Sequence, residues 1–157
     1  MSERKNRSEK QEVKDTSKEK KLEVVAGILL CDNKILCAQR PKGKYDYISY
    51  KFEFPGGKVE AGETAKEALC RELMEELAVS VREEKLKLYD TVKHRYPDFE
   101  VTIYCFLCPV KCIDIQLMEH ESAVWVNRHE LGQLDWVEAD LPVISKLMED
   151  ASIFEGL

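Results

Sequence analysis

The chain has 157 residues, 44% of them hydrophobic, which is enough apolar material for one core of ordinary size. Its net charge of −6 is uneven: residues 1–21 hold eight Lys/Arg against five Asp/Glu, and the rest of the chain carries −9. A body this acidic excludes generic, stable nucleic-acid binding, no apolar run approaches the roughly 18 residues of a membrane span, and the opening MSERKNRSEKQEVK lacks the apolar core of a secretory signal, so a cytoplasmic protein is expected.

Residues 1–21 are rich in Lys, Glu and Ser, contain no aromatic residue, and read as a disordered or loosely helical tail. Residues 22–157 read as a single domain. Runs at 22–31 and 34–39 flank Asp32-Asn33 and predict a β-hairpin. A polar-aromatic loop follows at 45–51, then a short strand at 52–54, and Pro55-Gly56-Gly57 breaks the chain. Residues 64–77 form the clearest helix: Thr64 and Glu67 make a capping box, and Leu69, Leu73 and Leu77 make an apolar stripe. Two long strands are predicted at 86–95 and 101–110, linked by Tyr96-Pro97-Asp98-Phe99, and a short one at 123–126. A helical turn at 128–131 and a helix at 139–148 end the pattern. Several strands with two main helices predict an α/β fold with a mixed sheet covered by helices.

The helix at 64–77 carries the chemistry. At about 100° per residue, Glu76 falls roughly 20° from Leu69, Glu72 roughly 60° and Glu75 roughly 120°. The three carboxylates therefore share one patch, and Glu76 borders the packing face. Like charges at this spacing repel by roughly 0.2–0.5 kcal/mol per pair, and burial adds a desolvation cost. A hard divalent cation relieves both. A solvated, Glu-rich face would show the same composition, so the context decides.

That context is Gly57-x5-Glu63-x7-Arg71-Glu72-Leu73-x-Glu75-Glu76-x-Ala78-Val79. It resembles the Nudix box, G-x5-E-x7-R-E-U-x-E-E-x-G-U with U a bulky aliphatic residue. One position departs: Ala78 stands where the box has glycine, although Ala resists positive φ. The resemblance extends over about 22–147 and is nearest to the MutT-like branch. It implies a Nudix-type α/β/α sandwich with a mixed sheet, and hydrolysis of a nucleoside triphosphate to the monophosphate and pyrophosphate with Mg²⁺ or Mn²⁺. Oxidised or non-standard (d)NTPs such as 8-oxo-dGTP, or CTP and dCTP, are the implied substrates. Another Nudix class, acting on ADP-ribose or dinucleoside polyphosphates, and a non-catalytic Nudix-fold regulator are the alternatives. The chain is expected as a monomer or homodimer.

The resemblance also assigns residues. Glu72, Glu75, Glu76 and the carbonyl of Gly56 are implied metal ligands, with Glu63 and Arg71 as a bracing ion pair. Glu119, six before Trp125, is a further ligand or base, and the general base is either Glu72 or Glu119. Arg40 in Ala38-Gln39-Arg40 is implied to touch the nucleotide. Backbone groups of Phe54, Pro55, Gly56 and Gly57 are implied to line its site. Asp140, at the start of the last helix, is implied to read the base; a helix N-cap is the structural alternative.

The remaining signals are read as structural. Cys105-x2-Cys108-x3-Cys112 lacks a second CxxC, and Cys105 and Cys108 should face opposite sides of one strand, so buried thiols are expected. Cys31 and Cys37 flank the first turn, but all six cysteines are expected to be reduced. His94, His120 and His129 show no metal spacing. Trp125 and Trp136 read as core or pocket wall, and Tyr45, Tyr47 and Tyr50 as loop residues able to stack on a base.

Overall fold

The computed structural model describes residues 20–156. β1 (Lys21–Cys31) and β2 (Lys34–Gln39) form the predicted hairpin. Asp32 and Asn33 both take positive φ, 52° and 60°, the turn whose twist matches the strands and which Asp and Asn tolerate. β3 (Phe52–Glu53), β4 (Gly56–Lys58) and α1 (Ala65–Leu77) follow. Then come β5 (Lys87–Arg95), β6 (Glu100–Pro109), β7 (Ser122–Val126) and α2 (Leu141–Glu149), the last preceded by 3₁₀ turns at Arg128–Gln133 and Glu138–Asp140. The tail read over 1–21 lies, as far as residue 19, outside the described residues; Lys20 is buried, and Lys21 opens β1.

The strands build one mixed sheet in the order β3-β2-β1-β6-β5, with β4 on β1 and β7 on β2. β1 and β6 run parallel, and the other pairs are antiparallel. β1 changes partner along its length: its last residues pair with β2, whereas Val24, Val25 and Ala26 pair with Lys58, Gly57 and Gly56. β4 therefore corrects the reading of Pro55-Gly56-Gly57 as a plain break. Glycine has weak strand propensity, yet here only glycine fits, because a Cβ on Gly56 would lie 1.9 Å from the Val25 carbonyl oxygen.

Period-two alternation splits the interior into two layers. Val25 and Leu29 of β1 face α1, whereas Ala26, Ile28 and Leu30 face α2. Leu69, Leu73 and Leu77 of α1 are fully buried on the first layer, and Val143, Ile144 and Leu147 of α2 pack into the second. Full burial of such side chains stabilises by roughly 1.5–3 kcal/mol each. The sheet is thus sandwiched between helices. Thr64 and Glu67 form the expected capping box. Ala78 ends α1 in the left-handed region at φ 54°, its N–H donating to the Leu73 and Met74 carbonyls, so it takes the conformation that the glycine of the box would.

The cysteine expectation is corrected. Cys31 is disulfide-bonded to Cys112, with Cα atoms 5.8 Å apart, and four thiols are free. The parallel pairing of β1 with β6 brings both strand ends out at the same edge, and this delivers Cys112 to Cys31 across 81 residues. Cys37 instead points into the α2-side core. Cys105 and Cys108 do face opposite layers.

Candidate active site

The loop between β4 and α1 is held by Arg71. Its Nε donates to Glu63 Oε2 at 2.7 Å and its Nη2 to Glu63 Oε1 at 2.8 Å, a two-point contact. Nη2 also donates to the Lys58 carbonyl at 3.1 Å, and Nη1 donates to Glu72 Oε2 at 2.8 Å. The hydrogen bonds to Glu63 and then Glu72 raise the pKa of Arg71 against the cost of its burial. This guanidinium ties together β4, Glu63 at the helix entry and Glu72 on the helix.

Glu72 and Glu76 are completely enclosed, while the side chain of Glu75 is 35% exposed and lies 3.6 Å from Arg71 Nη1. Glu76 Oε1 accepts the Gly56 N–H at 2.8 Å. Two carboxylates are therefore out of water on one turn of helix, next to a glycine backbone. Their oxygens do not all converge with those of Glu75: among the described residues, the His/Cys/Asp/Glu trio whose ligand atoms lie within 4.8 Å of one another is Cys31, Asp32 and Cys112. Glu72 is turned toward Arg71 and Glu76 toward Gly56 instead.

The segment carrying Glu119 crosses this end of the helix. Gln116 N–H donates to the Leu77 carbonyl, Met118 N–H to the Glu76 carbonyl and Glu121 N–H to the Gln39 carbonyl, each at 2.9 Å. Glu119, half-buried, sits between the last two anchors, bridging α1 and the end of β2.

On the other side of Gly56 lies a cavity of about 870 Å³. Arg40, Phe54, Gly56, Gly57 and Asp140 line it, as does Glu53. Pro55 is set back from the wall, where its carbonyl accepts the Gly27 N–H at 2.7 Å. Four lysines, Lys20, Lys42, Lys44 and Lys58, also face the cavity, a local positive lining in an acidic protein. Tyr45, Tyr96 and Phe99 supply an aromatic wall. Tyr45 stacks on Tyr47 and Tyr47 on Tyr96, and the Tyr47 hydroxyl donates to Asp98 Oδ2 at 2.7 Å, joining the 41–51 loop to the β5–β6 turn.

Arg40 reaches Glu53 rather than open solvent: Nη1 donates to Glu53 Oε1 at 2.8 Å. Glu53 Oε2 meets His120 Nε2 at 3.0 Å. Burial alone would raise the carboxyl pKa of Glu53, but Arg40 and His120 outweigh it and hold it at about 2. The His120 side chain is 3% exposed. Burial disfavours its charged form, yet Glu53 and then Glu76 raise its pKa above the ordinary value. The sequence alone singled out neither side chain: Glu53 entered only within the predicted strand at 52–54, and His120 lacked metal spacing. A lone carboxylate between Phe52 and Phe54 was the available signal, since a charge in an apolar strand needs a partner.

Asp140 does not cap α2, for its side chain accepts no bond from that helix. Oδ2 instead accepts the Phe54 N–H at 3.4 Å. A strap positions it: Phe52 N–H donates to the Asp135 carbonyl and Val137 N–H to the Phe52 carbonyl, while Ala139 N–H donates to the Tyr96 hydroxyl. Trp136 packs on Phe54 beneath, its ring 4.9 Å away. Burial, then the charge of Glu53, pushes the Asp140 carboxyl up to about 7, against the Phe54 N–H and Arg40.

Gly56 thus joins a helix with buried carboxylates to a lysine-lined cavity within an α/β/α sandwich. Residues 21–147 match the NUDIX domain, and the chain belongs to the Nudix family. It is a hydrolase of phosphorus-containing anhydrides. It is 31% identical over 128 residues to an 8-oxo-dGTP diphosphatase of Escherichia coli (strain K12), covering 82% of this chain and 97% of that one. It is 34% identical over 139 residues to a CTP pyrophosphohydrolase of the same organism, covering 82% and 93%. The solution structure of the E. coli ORF135 protein superposes with a TM-score of 0.70 at 32% identity, covering 83% of this chain and 90% of that one.

Proposed function

We propose that this chain hydrolyses nucleoside triphosphates to the nucleoside monophosphate and pyrophosphate, using Mg²⁺ or Mn²⁺. The observation that carries the reading is the position of Gly56. Its N–H binds Glu76 while the same residue lines the cavity, so carboxylates and nucleotide pocket share one wall. Glu72, Glu75, Glu76, Glu119 and the Gly56 carbonyl are all hard oxygen donors, which suits Mg²⁺. The buried pair Glu72 and Glu76 fits a cation, because enclosed carboxylates need positive charge beside them. When bound, the cation neutralises phosphate charge and makes its water acidic.

The chain's own groups do the rest. Arg71 holds Glu72 and the Glu63 loop in place. Arg40, fixed by Glu53, and the lysines of the wall bind phosphate oxygens. Glu72 or Glu119 takes the proton from the attacking water, and comparing Glu72→Gln with Glu119→Gln decides between them. Phe54, Gly56 and Gly57 supply the backbone floor, with Pro55 behind it, and the aromatic wall takes the base. With a pKa of about 7, Asp140 both accepts from a base amine or N–H edge and, when protonated, donates. This suits 8-oxo-dGTP or CTP, the substrates in the names of its relatives, and equally dCTP, and fits a role in clearing unusual nucleotides in the cytoplasm. The catalytic domain spans 22–157 behind a charged segment at 1–21, and acts as a monomer or homodimer.

The test is pyrophosphate release with Mg²⁺ from 8-oxo-dGTP, CTP, dCTP, 5-substituted dCTPs and dATP, with ADP-ribose hydrolysis followed in parallel. Glu76→Gln should lose turnover on the best substrate by a factor of at least about 10². Unchanged turnover in that variant, or ADP-ribose as the best substrate, overturns the proposal.

A further inference from the structure

The trio Cys31, Asp32 and Cys112 lies at the end of β1, away from the cavity lining. Three features set it apart. First, its two cysteines are half-buried, as is Cys70 alone among the other four; Cys37, Cys105 and Cys108 are buried, and burial pushes the Cys37 and Cys108 thiols up to about 12. Such thiols stay protonated and inert. Second, the backbone presents the two cysteines rigidly. Val110 N–H donates to the Leu30 carbonyl at 3.0 Å, and Cys112 N–H points at Cys31 Sγ at 3.1 Å. Third, the β-turn places a carboxylate beside the sulfurs: Asp32 Oδ2 lies 3.8 Å from Cys112 Sγ.

That last distance is informative. Zinc–sulfur and zinc–oxygen bonds of about 2.3 and 2.1 Å at a tetrahedral angle put the sulfur and oxygen roughly 3.6 Å apart, and two thiolates roughly 3.8 Å apart. Asp32 already sits at the spacing of a second ligand of the same ion. The sulfurs need only separate, and a Cα–Cα distance of 5.8 Å lets side-chain rotation do this without moving either strand.

We propose that Cys31, Cys112 and Asp32 form, once their disulfide is reduced, a binding site for a thiophilic divalent cation such as Zn²⁺. A dithiol reductant delivers two electrons and two protons to the disulfide and itself becomes a disulfide. The cation then displaces both thiol protons and is held by two thiolates and one carboxylate, with water in the fourth position. Bond and cation are alternatives at one place. Either one ties the β1–β2 turn to the start of the segment that carries Glu119 and His120.

The experiment uses the full chain, freed of metal with a chelator and reduced with a phosphine, and titrated with Cd²⁺ alone. Thiolate-to-cadmium charge-transfer absorption in the near ultraviolet is the readout, which is independent of hydrolase activity. The reduced protein should show a saturable band at one Cd²⁺ per chain that Zn²⁺ displaces, and the oxidised protein none. The band should vanish in Cys31→Ser/Cys112→Ser, which keeps the other four thiols. Asp32→Asn, which tolerates the positive φ of the turn, should weaken binding by at least about tenfold. No saturable band in the reduced protein, a band that survives in the double variant, or unchanged affinity in Asp32→Asn overturns the proposal.

Discussion

Asp140 Oδ2 accepts the backbone N–H of Phe54 at 3.4 Å across 86 residues of chain, and this bond joins the start of the last α-helix to the wall of the cavity. The carboxyl is buried with Glu53 and Arg40 nearby, and its pKa is raised to about 7 from the ordinary 3.8. A carboxyl whose folded-state value is raised stabilises the fold below its unfolded value, and that contribution is lost as pH rises through the folded value. Folding stability should therefore fall between pH 4 and pH 7, by at most about 1.4 kcal/mol per pH unit. Asp140→Asn, which keeps an acceptor for Phe54, should flatten that slope. Urea denaturation of both proteins at several pH values checks it; equal slopes would refute the assignment to Asp140.

Arg71 should be the most costly charge to remove. Arg71→Ala leaves Glu72 fully enclosed without its cation and Glu63 without its two-point contact. Breaking such a pair costs about 3–5 kcal/mol, and the 24% exposure of the Arg71 side chain argues for the lower end. Denaturant midpoints at neutral pH measure it. Arg71→Lys should recover only part, because an ammonium cannot make the forked contact.

Gly56→Ala should abolish activity and destabilise the protein. The added methyl would meet the Val25 carbonyl oxygen at 1.9 Å, so β4 must leave β1 and carry the Glu76 hydrogen bond with it. Assays of the variant beside circular-dichroism melts separate local displacement from global unfolding.

Ala78→Gly should stabilise. Ala78 holds φ 54° at the end of α1, and an L-residue there costs about 1–2 kcal/mol relative to glycine. Glycine's greater unfolded-state freedom offsets part of the gain, leaving about 1 kcal/mol, or roughly 2–4 °C in Tm for a chain of this size. A calorimetric scan decides it, and a lower Tm would contradict the argument.

The fold was legible where a local rule acted alone. Asp32-Asn33 between two apolar runs specifies the hairpin, and Thr64 with Glu67 starts α1 where it begins. The Leu69, Leu73 and Leu77 stripe determines which face is buried, hence that Glu76 must be enclosed. β4 was illegible because its glycines pair with β1 only when β2 has peeled away.

By itself, the sequence determined the helix and its carboxylate patch, because spacing along one helix settles both, while the Glu63–Arg71 brace followed from the resemblance to the Nudix box. Only the tertiary structure decided that Arg40, Glu53 and His120 form one chain of contacts and that Asp140 turns from its own helix to Phe54. It alone joined Cys31 to Cys112. Each of these pairs residues far apart in the chain, and no local periodicity encodes their distance. They meet because strand order and register bring their backbones together, and those follow from burying both faces of one sheet at once.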